Sequence, residues 1–144
     1  MRTVWKGYFS YLSFPEALED IYKVNFIMTL DFSNASFKGE TIDEESRGLF
    51  ENPITVSGFV DGDFISFIVQ YPHNYFFDEE LGRYVVDYQN PYPGCEYSGE
   101  YIAETGKYSG TWMLLADEKR EGKFQNDFIQ EHLVGYWEMS QVQE

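Results

Sequence analysis

The sequence predicts an all-β protein, an up-and-down antiparallel β-barrel of about 8–10 strands. Apolar and polar residues alternate with a period of two along most of the chain, whereas helical spacing persists nowhere beyond a few turns. Aromatic residues make up 19% of the composition, and side chains of this size can fill a small barrel core. We expect residues 1–144 to form one barrel domain, because this length is usual for a single domain.

The first strand is predicted from Trp5 to Leu12, where Trp5, Phe9 and Tyr11 share one face. A break follows at residues 13–21, in which Pro15 and the acidic residues after it predict a short helix. The long loops of this barrel are therefore expected to carry short helical segments.

Three hairpins are expected to set the register, because a pairing is plausible only if the apolar residues of both strands share a face. Their loops are predicted at residues 33–36, 61–62 and 104–107. The residue pairs that flank these loops are predicted to be Phe32 with Phe37, Val60 with Asp63, and Ala103 with Tyr108.

Two short strands are predicted at residues 75–77 and 84–88, joined by the polar turn at 78–83, and the last strand at residues 134–139. The total number of predicted strands is then about ten. With an even number of strands, the first and last can pair antiparallel and close the barrel, which removes exposed sheet edges.

The connections differ in length at the two predicted ends of the barrel. One end has tight turns at residues 33–36, 61–62, 78–83 and 104–107, and the other carries the longer segments 13–21, 44–52, 89–94 and 116–133. Long connections tend to be functional, and barrels hold small ligands at their mouths. The side chains predicted to face inward and bind a ligand are Tyr11, Phe26, Thr41, Asp43, Ile54, Phe67, Tyr71, Tyr97, Trp112 and Leu114.

Two stretches of the sequence carry a family resemblance. Trp5-Lys6-Gly7 begins the first strand, and residues 97–101 (YSGEY) lead through a turn to residues 110–115 (GTWMLL). These segments resemble the calycin superfamily, the lipocalins and avidins, and above all the avidin type, with its Trp-Ser-Gly-Gln-Tyr and Thr-x-Trp-Leu-Leu strands. The resemblance implies a calycin barrel with Trp112 inside it. The residues with which avidins bind biotin are absent, so biotin binding is not implied.

The charge balance restricts the possible partners. The formal net charge of −15 argues against binding to nucleic acid or to an anionic membrane surface. The one cysteine cannot form an internal disulfide, and the chain starts without an apolar leader, so we expect a cytoplasmic protein. A homodimer is a further expectation, because apolar side chains are predicted on the outer face at Ile27, Ile68, Met113 and Leu115.

Other reactive side chains do not form a catalytic or metal set. His73 and His132 show no paired metal-binding spacing, and Cys95 is expected to be a buried thiol. The acidic runs 43–45, 78–80 and 117–118 are expected to be solvated loops. A glycosidase needs two carboxylates facing one cavity, and only Asp43 is predicted to point inward. We therefore expect no catalytic residue, metal or cofactor.

These features favour a non-enzymatic barrel that binds a small apolar or aromatic ligand at its long-loop end. The alternative is a protein-interaction module whose acidic surface engages a basic partner.

Overall fold

The computed structural model describes residues 2–11, 23–89, 92–115 and 134–142, and every regular element in these ranges is a β-strand. The strands are β1 (Arg2–Tyr11), β2 (Lys23–Ser33), β3 (Ser36–Asp43), β4 (Ile54–Asp61), β5 (Phe64–Gln70), β6 (Asn74–Asp78), β7 (Arg83–Asp87), β8 (Cys95–Ile102), β9 (Lys107–Leu114) and β10 (Val134–Gln141). The helix predicted within residues 13–21 lies outside the described ranges. Among the residues described, none belongs to a helix long and apolar enough to cross a membrane.

Eight of these strands close into a barrel in the order β1-β10-β9-β8-β5-β4-β3-β2, with every neighbouring pair antiparallel. The closing pair joins β1 to β10 and places Phe9 opposite Trp137. The predicted all-β, up-and-down barrel is therefore confirmed, and it is compatible with a calycin-like fold. Because each barrel strand has two partners, the ring leaves no open sheet edge.

β6 and β7 lie outside this ring. They pair only with each other, as a two-stranded sheet within the connection from β5 to β8. The expectation that both strands belong to the barrel was wrong, and so was the placement of the turn at 78–83 at the tight end. β8 takes the edge of β5 instead, through pairs such as Phe67 with Tyr97, because this longer strand continues the inward aromatic face.

Two of the three predicted hairpin registers are shifted by two residues. Asp61 pairs with Phe64, and Tyr101 pairs with Tyr108, whereas the loop at 33–36 has the predicted pair of Phe32 with Phe37. A shift of two keeps every side chain on its face, so the apolar pattern could not distinguish the registers. The inward residues are consequently the predicted ones even where their partners differ.

Aromatic rings fill the middle of the barrel. The ring of Phe67 stacks on Tyr97 at 4.9 Å between centroids, and Trp137 contacts both rings at 5.3 and 5.7 Å. Glycines allow strands to come this close together: a Cβ on Gly110 would lie 1.9 Å from the carbonyl oxygen of Ser98. Side chains therefore occupy the middle of the barrel.

Candidate functional site

The predicted ligand-binding residues all lie on the inner side of the barrel or at its long-loop mouth. Tyr11 and Leu114 are half-buried, and the other eight are buried: Phe26, Thr41, Asp43, Ile54, Phe67, Tyr71, Tyr97 and Trp112. At the mouth, the Trp112 ring contacts Tyr11 at 5.4 Å and Tyr97 at 6.3 Å between centroids. Phe67 lies deeper, at the middle of β5, among the packed rings. Contact of any of these residues with a ligand stays a prediction.

Asp43 is the last residue of β3, and its side chain is only 1% exposed. One carboxylate oxygen, Oδ1, accepts from the Ser46 amide at 2.7 Å and from the Ser46 hydroxyl at 2.9 Å. The other oxygen, Oδ2, accepts from the Tyr71 hydroxyl. An Asp that bonds the chain just after it makes a compact turn, which here holds the carboxylate inward at the mouth.

Glu45 lies two residues further along and is also buried, with 8% exposure. Its Oε1 accepts from Tyr11 at 2.6 Å and from Tyr75 at 2.7 Å, and its Oε2 accepts from Tyr84 at 2.9 Å. The three donors come from β1, β6 and β7. Residues distant in sequence therefore converge on one carboxylate.

The expectation of a solvated loop at residues 43–45 was wrong for Glu45, whereas Asp43 faces inward as the hairpin register predicts. Only Glu44 is exposed, because the inward–outward alternation of β3 continues past the end of the strand. The structure thus supplies the second mouth carboxylate that the sequence analysis did not find. In contrast, Glu79 and Glu80 are exposed beside a turn in which Asp78 accepts from backbone amides. The run at 117–118 lies outside the described ranges.

The partners that the described residues provide for Asp43 and Glu45 are neutral hydroxyls and one amide. A carboxylate has about four acceptor positions, and each of these carboxylates accepts three hydrogen bonds. Each therefore retains capacity for one more donor.

The mouth tyrosines are donors at neutral pH. Burial is the main cause that raises the pKa of Tyr71 and Tyr75 above 10.0, and the nearby carboxylates Asp43 and Glu45 add to it. Burial followed by the charge of Glu45 raises the pKa of Tyr11 in the same way. Because these phenols keep their protons, they cannot serve as general bases at neutral pH.

The remaining candidate groups are Cys95 and the two histidines. Burial raises the pKa of Cys95 to about 12, although the Tyr92 hydroxyl, which donates to its sulfur, lowers it; the predicted buried thiol is confirmed. His73 packs its ring on Tyr88 at 4.9 Å, and His132 lies outside the described ranges. Within those ranges, no three His, Cys, Asp or Glu side chains come together as a metal-binding group.

A cleft of about 560 Å³ opens beside the mouth, between β3 and the start of β4. Its lining includes the buried residues Thr41, Asp43 and Ile54, the half-buried Phe50 and the exposed Arg47. The ring of Phe50 also contacts Tyr71 and Tyr75, each at 5.9 Å. The cleft therefore connects solvent to the residues around the buried carboxylates.

Several residues of this site were not predicted: Glu45, Ser46, Tyr75, Tyr84 and Tyr92. One signal was available, since Glu45 follows Asp43 by two residues and so shares its face. The contacts of the tyrosines with the mouth carboxylates could not be predicted from strand alternation, because they depend on where the β6–β7 hairpin packs.

Comparison of the sequence with protein-family models finds no match, and comparison with curated proteins finds none either. The functional argument therefore depends on the geometry of the mouth.

Proposed function

We propose that this protein binds a small molecule with an apolar or aromatic body and a hydrogen-bond-donating group at the long-loop mouth of the barrel. One observation carries the proposal: two buried carboxylates, held by neutral donors, lie where the aromatic lining of the barrel ends. A closed β-barrel with a buried aromatic cluster is compatible with ligand binding.

The lining supports the choice of an aromatic or apolar body. The rings of Tyr11 and Trp112 lie 5.4 Å apart near the mouth, and Phe50 stands beside the cleft. Aromatic side chains bind other rings through edge and offset contacts as well as through the burial of area.

The acceptors support the choice of a donor group on the ligand. Beyond the three hydrogen bonds that each accepts from described residues, Asp43 and Glu45 each have one acceptor position for a further donor. The net charge of −15 also attracts cationic ligands and repels anionic ones. An amine or alcohol is therefore favoured over a carboxylic acid.

A paired-carboxylate hydrolase is less well supported by the same residues. In such an enzyme, one carboxyl group donates a proton and the other attacks or activates water. Here, every oxygen of Asp43 and Glu45 already accepts a hydrogen bond from a neighbouring side chain or amide. This arrangement suits an acceptor that holds a ligand better than a group that exchanges protons.

The test is a thermal-shift series with matched aromatic compounds that share one ring and differ only in an amine, alcohol or carboxylic acid group. A ligand at about 100 times its Kd stabilises the folded state by about 2.7 kcal/mol. For a domain of this size, that is a rise in Tm of several degrees. We expect the amine and the alcohol to raise Tm and the acid to leave it unchanged.

Two variants serve as controls for this series. Glu45→Gln, which keeps the shape of the side chain and removes its charge, is expected to reduce the shift caused by the amine. Tyr101→Phe, at the opposite end of the barrel, is expected to respond like the unchanged protein. The proposal is wrong if no compound raises Tm, or if the acid raises it as much as the amine.

A further inference from the structure

The β6–β7 hairpin is attached to the barrel in an unusual way. In the described part of the chain, its strands form backbone ladders with each other and with no barrel strand. Its attachment therefore depends on side-chain contacts and on the two chain connections at its base. Backbone ladders account for most of the hydrogen bonds in a sheet, so this attachment is weaker than that between barrel strands.

The hairpin reaches across the mouth of the barrel. It leaves the ring at β5, which is four positions from β1 in the eight-stranded order and hence on the opposite wall. Tyr75 of the hairpin nevertheless donates to the same Glu45 oxygen as Tyr11 of β1. Tyr84 donates to the other oxygen of Glu45. Side chains of the hairpin thus reach the same carboxylate as a residue of the opposite wall.

Gln70 is one attachment at the base of the hairpin. It ends β5, and its Nε2 donates to the carbonyl oxygens of Tyr71 at 3.2 Å and Tyr92 at 2.8 Å. These two residues lie on the outgoing and the returning connections. Gln70 thus joins both connections of the hairpin to the barrel wall, beside the ring contact between Tyr71 and Tyr92.

Two apolar side chains of the hairpin are largely exposed. Phe76 is 49% exposed and Leu81 is 57% exposed, whereas the inner tyrosines Tyr75 and Tyr84 are half-buried. Elements with few buried apolar contacts open at lower free energy than a core. Among the described residues, the hydrogen bonds to Glu45 and the ring contacts of Tyr75 attach the hairpin at this side of the mouth.

We propose that the β6–β7 hairpin is a cap that opens about Gln70 and is held closed by Tyr75 and Tyr84 on Glu45. Its role in admitting a ligand rests on the proposed function, but its opening does not. When the cap opens, both hydroxyls leave Glu45 and free its acceptor positions. A ligand donor can then take the place of a tyrosine hydroxyl on that carboxylate.

The test is hydrogen exchange followed by mass spectrometry on the full chain without any ligand. The double variant Tyr75→Phe/Tyr84→Phe removes both hydroxyls and keeps the rings. We expect amides of β6 and β7 to exchange about tenfold faster or more than in the unchanged protein. Amides of β4 and β5 are expected to keep their rates, and the control Tyr101→Phe is expected to change neither set.

The proposal is overturned if β6 and β7 exchange together with the barrel strands in every variant. If the double variant does not fold, the exchange rates of the β6 and β7 amides are compared between the unchanged protein and Tyr84→Phe, and the same outcomes support or overturn the proposal. A cap that opens independently, combined with no response to the aromatic series, would contradict only the proposed function. Uniform exchange combined with a ligand response would contradict only the cap.

Discussion

Tyr71 illustrates how a single side chain holds the mouth together. Its ring contacts Tyr75 at 5.2 Å and Tyr92 at 4.7 Å between centroids, and its hydroxyl donates to Asp43. Both Tyr71 and Asp43 are almost fully buried, at 5% and 1% exposure. A donor lost here cannot be replaced readily by bulk water, so the hydrogen bond contributes directly to stability.

We expect Tyr71→Phe to lower the free energy of unfolding by about 1.5–3 kcal/mol, the usual contribution of a hydrogen bond to a charged group. The ring and its packing are kept, so the change isolates the hydroxyl. Urea denaturation measures the effect. The matched control is Tyr101→Phe, whose side chain is 39% exposed, and its effect is expected to stay within about 0.5 kcal/mol. Equal effects of the two variants would contradict the described hydrogen bond.

At the scale of the element, the turn between β4 and β5 shows how local chemistry sets a register. Asp61 pairs with Phe64, so the two turn residues are Gly62 and Asp63. Gly62 has a φ of +60°, a value that glycine adopts readily and other residues do not. Glycine at the first of two turn positions is typical of a type II′ hairpin, which suits the twist of the strands.

The geometry of this turn predicts that a glycine contributes to the free energy of unfolding at position 62 but not at position 61. Gly62→Ala is expected to lower the free energy of unfolding by about 1–2 kcal/mol, the cost of placing a Cβ in the left-handed region. Asp61→Gly is expected to bring no gain, since Asp61 is a strand residue and not among those with positive φ. Urea denaturation of both variants distinguishes the registers, because a stabilising Asp61→Gly would favour the turn at residues 61–62.

At the scale of the whole molecule, phenol groups are buried both inside the barrel and on the connection from β5 to β8. Burial raises the pKa of Tyr71, Tyr75, Tyr92 and Tyr97 well above 10.0, and nearby charges add to the effect. In the unfolded chain, these groups have a pKa of about 10. Above that pH, the unfolded chain releases protons that the folded chain retains, so ionisation favours unfolding.

We therefore expect the stability contributed by these tyrosines to be complete below pH about 10 and to decline as the pH rises further. Part of the phenolate absorbance should appear only together with the loss of the fold. Parallel titrations of ultraviolet absorbance and circular dichroism measure this. Complete ionisation of the tyrosines with an unchanged circular dichroism spectrum would contradict the described burial.

The outer surface of the barrel bears on two further expectations, the homodimer and the acidic interaction module. Ile68 and Met113 flank Glu96 in one row across β5, β8 and β9, whereas Ile27 lies on β2 at a distance around the ring. The four outward apolar residues thus do not form a single patch, and the homodimer stays a prediction. The acidic interaction module also stays the alternative, but two residues of its first acidic run are buried and cannot contact a partner.

The pattern of residues determined the fold class, the closure of the barrel and the inward faces of its strands. The period of two explains this success, because it states which residues share a face regardless of what they pair with. The same pattern located the long-loop end and Asp43 within it. It does not reveal that Glu45 also points inward, because an acidic run after a strand is typical of a solvated loop.

The tertiary structure alone decided the registers of two hairpins, the place of β6 and β7, and the partners of the mouth carboxylates. A shift of two residues leaves the facing pattern unchanged, so sequence periodicity cannot detect it. The hydrogen bonds to Glu45 join residues separated by 34 positions for Tyr11 and 39 for Tyr84. Contacts of this kind exist only after the chain has closed on itself, because they depend on where distant strands lie and not on local preference.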